Sequence, residues 1–577
     1  MRLTLLASAV ASLATPVIAA DFPNGTPAVR GPESVADWFN AGQAHLFKQD
    51  QAQAAAVTPG NRLPVKNVIL FVGDGMGIST VTAARILAGE KAGLAGPERG
   101  SLHFETFPDL ALSKTYQWDQ QTPDSAPTAT AMHTGYKTRE SMLGVNHTIN
   151  RKECRASETA AKSVKSIAEH AAERGKSVGF VSTARITHAT PASGYSHISA
   201  RDWESDREIK ANTNCAALAE SARVADIATQ ALNPANAALK TQLKVVMGGG
   251  RRAFLPNTVT DPEYATLTGR RTDGKNLTAE WLSTRANAKY VWGQSGGSVS
   301  VPEANDFSKV TAANTDYLLG LFDPSHAQFE SDRARDPAKE PSLTEMTVKA
   351  IEILKKNNRG FFLHVESGRI DHAHHAGNAR RALEDTIEFA RAVKAADDAT
   401  SDGDTLIIVT ADHSHVFTIA GYPHRGNPIL GLSRGIPGND GEAITPDNDV
   451  LGLPYTTLGY YNGPGYTGPT AASATGTQTS GLKTFTTNST GLANEGYSIG
   501  RTGAATNSGA VRPNLTNVDT TALNFLQESA VPTDSETHAA EEVAIYAKGP
   551  FSQYVRGVME QNWIFHVMAK AFGLRGF

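Results

Sequence analysis

What most limits this chain is a repeated pairing: an apolar run of strand length with metal-ligand side chains at its edge. It occurs in Val68-Ile-Leu-Phe-Val-Gly-Asp74, in Val181-Ser-Thr-Ala-Arg-Ile-Thr-His-Ala-Thr190 and in Phe361-Phe-Leu-His-Val-Glu366. It recurs in Leu406-Ile-Ile-Val-Thr-Ala-Asp412-His413 and beside Asp534-Ser-Glu-Thr-His538. Further apolar runs lie at 243–247 and 543–547, and helical spacing fills segments between, as in Leu383, Ile387 and Ala390. Strands alternating with helices imply βαβ units and a mostly parallel sheet. The carboxyl ends of parallel strands share one rim, where ligands far apart in sequence can converge. The expected fold class is α/β, a large and mostly parallel central sheet flanked by helices on both faces.

A chain of 577 residues, 40% of them hydrophobic, can bury a large core around one such sheet. A formal net charge of −4 with no Lys/Arg-rich block argues against a nucleic-acid partner as its main business. Met1–Ala20 reads as a secretory signal, followed over 21–64 by an N-terminal arm with a helix near Ser34–Gln53. No later stretch matches the ~20 apolar residues of a membrane span, and the C-terminus lacks a cleavable hydrophobic tail. The expectation is an exported protein, periplasmic or secreted, without a membrane anchor. Cys154 and Cys215 are the only cysteines. In an oxidising compartment an isolated pair suggests one disulfide, worth about 4 kcal/mol in the chain-entropy model. Two free buried thiols are the competing reading.

Two stretches break the alternation. Residues 248–345 show few periodic runs, and 425–530 are rich in Gly, Thr, Ser and Asn, which favour turns or mobile loops. This suggests a catalytic domain made of 65–429 and 531–577, interrupted by an insertion at 430–530.

Asp74 lies in Gly73-Asp-Gly-Met-Gly77, where glycines let the backbone turn sharply and a metal approach. The patterns of dinucleotide and P-loop sites are not met. Ser125 precedes a helix-prone Ala-Pro-Thr-Ala-Thr-Ala run, at a helix start that favours phosphate, although an ordinary N-cap serine would look the same. The densest signal is Glu366-Ser-Gly-Arg-Ile-Asp371-His-Ala-His-His375: Asp371 and His375, four apart, share one helical face. Mixed nitrogen and oxygen donors suit zinc and all-oxygen sets suit magnesium. By type, Asp371, His375 and His538 form one zinc set and Asp74, Asp412 and His413 a second. Glu366 and Thr190 with a shared Asp74 form a magnesium set. Two close metals and a nucleophile suit phosphoryl transfer.

In this order, Asp124-Ser-Ala-Pro-Thr-Ala-Thr-Ala, Glu366-Ser-Gly-Arg-Ile-Asp-His-Ala-His-His, Thr410-Ala-Asp-His-Ser-His-Val-Phe and Glu536-Thr-His-Ala resemble the alkaline phosphatase family, from about Lys66 to Met568. The resemblance implies phosphate monoester hydrolysis through phosphorylation of Ser125, two zinc ions and one magnesium ion, with Ser125 itself at the metals. It implies that Arg201, in Ser199-Ala-Arg-Asp-Trp203, holds the phosphoryl oxygens. His188, His372 and Gly421-Tyr-Pro423 follow the animal-type pattern, the two histidines tuning the magnesium side and the substrate site. The cysteine pair falls where animal-type enzymes carry a disulfide. Glu263, the Phe322 carbonyl, Asp323 and Glu340 match a further calcium site, with altered carboxylate lengths and a longer gap. The 430–530 stretch corresponds to the family's variable crown, differing in length and composition, and a homodimer is compatible with the resemblance. A phosphodiesterase or sulfatase on the same scaffold is the nearest rival; Arg201 and a serine at 125 speak against it. A phosphate- or metal-scavenging binding protein is the rival of another class, and the intact nucleophile speaks against that.

Overall fold

A computed structural model describes residues 64–439, 442–467, 479–486, 498–506 and 512–574. The signal and the helix expected near 34–53 lie outside the described residues. The strands in chain order begin with β1 (Asn67–Gly73), β2 (Asp109–Lys114), β3 (Ser177–Arg185), β4 (Leu243–Gly249), β5 (Ala288–Val291), β6 (Tyr317–Leu321), β7 (Phe361–Ser367) and β8 (Thr405–Ala411). They continue as β9 (Ser414–His415), β10 (Phe417–Ile419), β11 (Leu458–Gly463), β12 (Thr479–Thr486), β13 (Ser498–Thr506), β14 (Ser529–Pro532), β15 (His538–Ala539), β16 (Val543–Lys548) and β17 (Gly557–Glu560).

Ten of these build the central sheet, in the order β17-β2-β16-β8-β1-β7-β3-β4-β6-β5. Only β16 runs antiparallel to its two neighbours; the other pairings are parallel. The expected α/β class is therefore what the chain adopts. The six apolar runs read from the sequence are all strands of this sheet. The stretch 248–345 is a correction: it contributes β5 and β6, two short strands at one edge. β2 and the opposite edge strand β17 were not read either. In the 425–530 stretch, β11 pairs with β10 before the stretch and with β14 at its end, and β12 and β13 form a hairpin, so it is not turns alone.

Every residue of β1, β7 and β8 is buried, as expected for strands covered on both faces. Alternation divides their side chains between two cores. Val68, Leu70, Val72, Leu406 and Ile408 face helices α1 (Ser125–Thr134) and α2 (Trp563–Ala571). Ile69, Phe71, Ile407 and Val409 face α3 (Leu343–Leu354) and α4 (Ala379–Ala399), where Leu383, Ile387 and Ala390 are buried as their spacing predicts. A disulfide joins Cys154 to Cys215, with Cα atoms 5.7 Å apart.

Candidate active site

The register of the central strands lines up their carboxyl ends. Val72 pairs with Glu366 on one side and Thr410 on the other, and Glu366 pairs in turn with Ser182. Asp74 leaves β1 one residue past its end, and Asp412 and His413 leave β8 in the same way. Gly75 has φ of +68°, donates its N–H to Asp412 Oδ1 at 3.0 Å, and has no room for a side chain: a Cβ would stand 2.2 Å from His415 Nε2. After β7 a short helix, Arg369–His375, sets Asp371 and His375 one turn apart. β15 pairs antiparallel with β9, bringing His538 opposite His415. Asp124 caps α1 by accepting from Ala126 N–H at 3.2 Å, which leaves Ser125 as the first helical residue rather than the cap.

Ser125 Oγ lies 3.3 Å from His413 Nε2 and 3.5 Å from Asp74 Oδ1. His413 Nε2 is in turn 3.4 Å from Asp74 and 3.5 Å from Asp412. Beside them, Asp371 Oδ1 stands 3.3 Å from both His375 Nε2 and His538 Nε2, and those two nitrogens are 3.1 Å apart. His375 donates Nδ1–H to the Glu536 carbonyl at 2.6 Å, and His538 donates to the Pro123 carbonyl at 2.7 Å. Each ring therefore turns a bare Nε2 toward the other, an arrangement that a shared cation relieves. Donor atoms of Asp74, Glu366 and His188 also fall within 4.8 Å of one another. Thr190 lies at the same rim with its hydroxyl buried and unpartnered.

Charge points the same way. Burial first, then repulsion from Asp412, Asp371 and Glu366, pushes the Asp74 carboxyl well above its usual range. Burial raises Asp412 and carries Glu366 to about 7. Burial opposes ionisation of Asp371 too, but His375, His415 and His538 outweigh it and hold that carboxylate low. Burial keeps His413 and His375 neutral, the form that ligates a metal. Asp74 Oδ2, Asp412 Oδ2 and Glu366 Oε1 are buried without a hydrogen-bond partner. Orphaned carboxylate oxygens beside bare imidazole nitrogens are a donor set that fits divalent cations and suits little else.

Arg201 sits at the mouth, paired with Asp124 and donating to His188 Nε2 at 2.8 Å. His188, His326 and His372 pack as a triangle of rings, His326 and His372 closest at 4.0 Å, and His326 Nε2 meets Arg185 at 2.6 Å. His326, His415, Glu536 and Ser182, which donates to Glu366, were not singled out from the sequence. His415 alone carried a local signal, since it follows His413 by the two-residue period of a strand. Away from the rim, Glu263 and Asp323 gather with Asp336, a carboxylate that the resemblance did not include. Glu340 is buried beside them, its N–H donating to Asp336, its Oε1 accepting from Gln328 N–H and its Oε2 without a partner. Phe322, whose carbonyl was the fourth member, is buried next to Asp323.

A family model described as alkaline phosphatase matches residues 65–574. The chain belongs to the alkaline phosphatase family. It is 39% identical to the alkaline phosphatase of Gadus morhua, over 89% of this chain and 92% of that one. It is 40% identical to the tissue-nonspecific isozyme of Homo sapiens, over 91% and 88%. The solved alkaline phosphatase of the Antarctic bacterium TAB5 shares the fold with a TM-score of 0.52 at 22% identity, covering 89% of this chain and all of that one. The protein is thus a phosphatase of a metal-dependent family. Among the described residues no helix is long and apolar enough to cross a membrane.

Proposed function

We propose that this alkaline phosphatase hydrolyses phosphate monoesters through a phosphoserine at Ser125, beside two zinc ions and one magnesium ion. Asp371, His375 and His538 would hold one zinc and Asp74, Asp412 and His413 the other. Glu366, Thr190 and the shared Asp74 would hold magnesium, with His188 near enough to join them. When bound, these cations supply the positive charge that makes a serine hydroxyl and then a water nucleophilic near neutral pH and steadies the departing oxygen.

The observation that carries the reading is the approach of Ser125 Oγ to His413 and Asp74 at 3.3 and 3.5 Å, at the first turn of a helix. Ser125 Oγ attacks phosphorus, the new O–P bond forms opposite the ester oxygen, and the alcohol departs. Water then attacks the same phosphorus, and the bond to Ser125 breaks. Helix N–H groups at the start of α1 face the phosphoryl oxygens. Arg201, oriented by Asp124, forks onto two of them. His188 and His372 shape the magnesium side and exclude bulk water.

Two inversions give net retention at phosphorus. Hydrolysis of a chirally labelled phosphate ester tests this, and net inversion would remove the phosphoserine step. Rates with an aryl phosphate, a bis-aryl phosphate and an aryl sulfate separate a monoesterase from its rivals; the monoester is expected to be fastest. The Cys154–Cys215 disulfide supports export to an oxidising compartment, periplasmic or extracellular. The oxygen-only group of Glu263, Asp323 and Asp336, with Glu263 Oε1 and Asp336 Oδ1 unpartnered, supports a calcium ion there.

A further inference from the structure

Glu536 is a buried carboxylate that takes no direct part in the chemistry above, yet it touches each side of one zinc set. Its Oε2 accepts from His415 Nδ1 at 2.5 Å and its Oε1 from Val416 N–H at 2.8 Å. Beyond His415, Nε2 of that ring meets Asp371 Oδ1 at 2.9 Å. The main chain of Glu536 grips a second member. Its carbonyl accepts from His375 Nδ1 at 2.6 Å, and its N–H donates to the His375 carbonyl at 2.9 Å. The third member, His538, lies two residues along the same chain, on the strand that pairs with His415.

We propose that Glu536 is the positioning residue of this set, fixing Asp371 through His415 and His375 through its own carbonyl. The inference rests on the zinc reading of Asp371, His375 and His538. Its physical basis is rotational. Asp371 and His375 come from a helix and His538 from a distant strand, so nothing local sets their mutual angle. A charged acceptor on Nδ1 fixes the His415 ring plane, and that ring then fixes which way the Asp371 carboxylate turns. The Asp74, Asp412 and His413 set has no bond to Glu536 and serves as the internal control.

The test uses Glu536→Gln, which keeps the carbonyl grip and the side-chain size but removes the charge. Zinc binding to the metal-stripped, refolded full chain is followed by competition with a chelator, and cobalt is used as a coloured reporter of each set. One of the two zinc affinities is expected to fall by about 10- to 100-fold, with a changed visible spectrum for that cobalt alone. His415→Gln should do the same. The double variant should lose no more than the worse single one, because both break one chain of contacts. Wild-type affinity in Glu536→Gln, equal weakening of both zincs, or additive losses would each overturn the proposal. Should Glu536→Gln not fold, His415→Gln decides: an unchanged cobalt spectrum overturns it and an altered one upholds it. A wild-type chain that binds two zincs but leaves phosphate monoesters intact would instead remove the catalytic reading while leaving this result standing.

Discussion

Two dense groups of buried carboxylates are both hidden from water and differ in their company. Asp74, Asp412 and Glu366 at the strand rim are fully buried, are mixed with imidazoles and face a serine hydroxyl. Glu263, Asp323 and Asp336 contain no imidazole, are less than a tenth exposed, and lie against a fully buried guanidinium, Arg251, which bonds Asp261 and Glu263 at 2.8 Å. Burial raises the carboxyl pKa in both, to about 7 for Glu366 and Asp323 and about 9 for Glu263. Concentrated negative charge is therefore not what distinguishes a catalytic centre. Nitrogen donors and a nearby serine hydroxyl set the proposed centre apart.

The sharpest way to break this contrast is Ser125→Ala. Turnover of an aryl phosphate should fall by roughly three orders of magnitude or more, while zinc and magnesium content stays at the wild-type value. Undiminished phosphate release would move the chemistry elsewhere. Next in size, EDTA should abolish activity, and zinc with magnesium should restore it. Because the rim sets depend on imidazole donors, which protonate before carboxylates, calcium measured by mass spectrometry should outlast zinc during dialysis at falling pH. Loss of calcium first would invert the comparison.

The parallel sheet and its ligand rim were legible because buried parallel strands print as continuous apolar runs, and their last residues carry the ligands. β5 and β6 were not, since Ala288-Lys-Tyr-Val and Tyr317-Leu-Leu-Gly-Leu are brief and sit among Pro- and Asp-rich turns. β2, one strand in from the edge, mixes exposed and buried side chains, with Leu110 outward, so it does not print as a continuous apolar run. Within the site, residues at strand ends and on one helical turn could be paired by spacing. Glu536 could not: its contact with His415 depends on pairing across 121 positions, which no local pattern discloses. Asp336 joins Glu263 and Asp323 only through the folded loop, which no local spacing discloses.

A third effect is smaller and separates the groups by pH. In the metal-stripped protein Glu366 has a folded pKa of about 7 against an ordinary 4.5. A raised carboxyl pKa gives stability that is fully present below 4.5 and lost as pH climbs through 7, at most about 3 kcal/mol for this group. Glu263 has the same sign and extends the loss to about pH 9. Melting temperature of the stripped chain should thus decline from pH 5 to 9. Zinc and magnesium should cancel the Glu366 share near 7, and calcium the share of Asp323 and Glu263, which runs from near 7 to about 9. A flat profile without metals would deny that either group is strained.

The smallest effect is expected from Glu263→Gln, and its sign is informative. The variant removes one of the two carboxylates bonded to Arg251, while Asp261 still holds the guanidinium at 2.8 and 2.9 Å. A charge-assisted bond lost from a buried pair costs about 2 kcal/mol, but a carboxylate crowded by Asp323 and Asp336 is lost with it. These terms oppose each other. In EDTA the variant should therefore melt within about 2 °C of the wild type. With calcium added, only the wild type should gain, because the oxygen set has lost a charged member. Turnover in zinc and magnesium should stay within about twofold, since no atom of this group reaches Ser125. An equal calcium response in both proteins would remove Glu263 from the cation site. A tenfold loss of turnover would join the oxygen-only group to the chemistry of the rim.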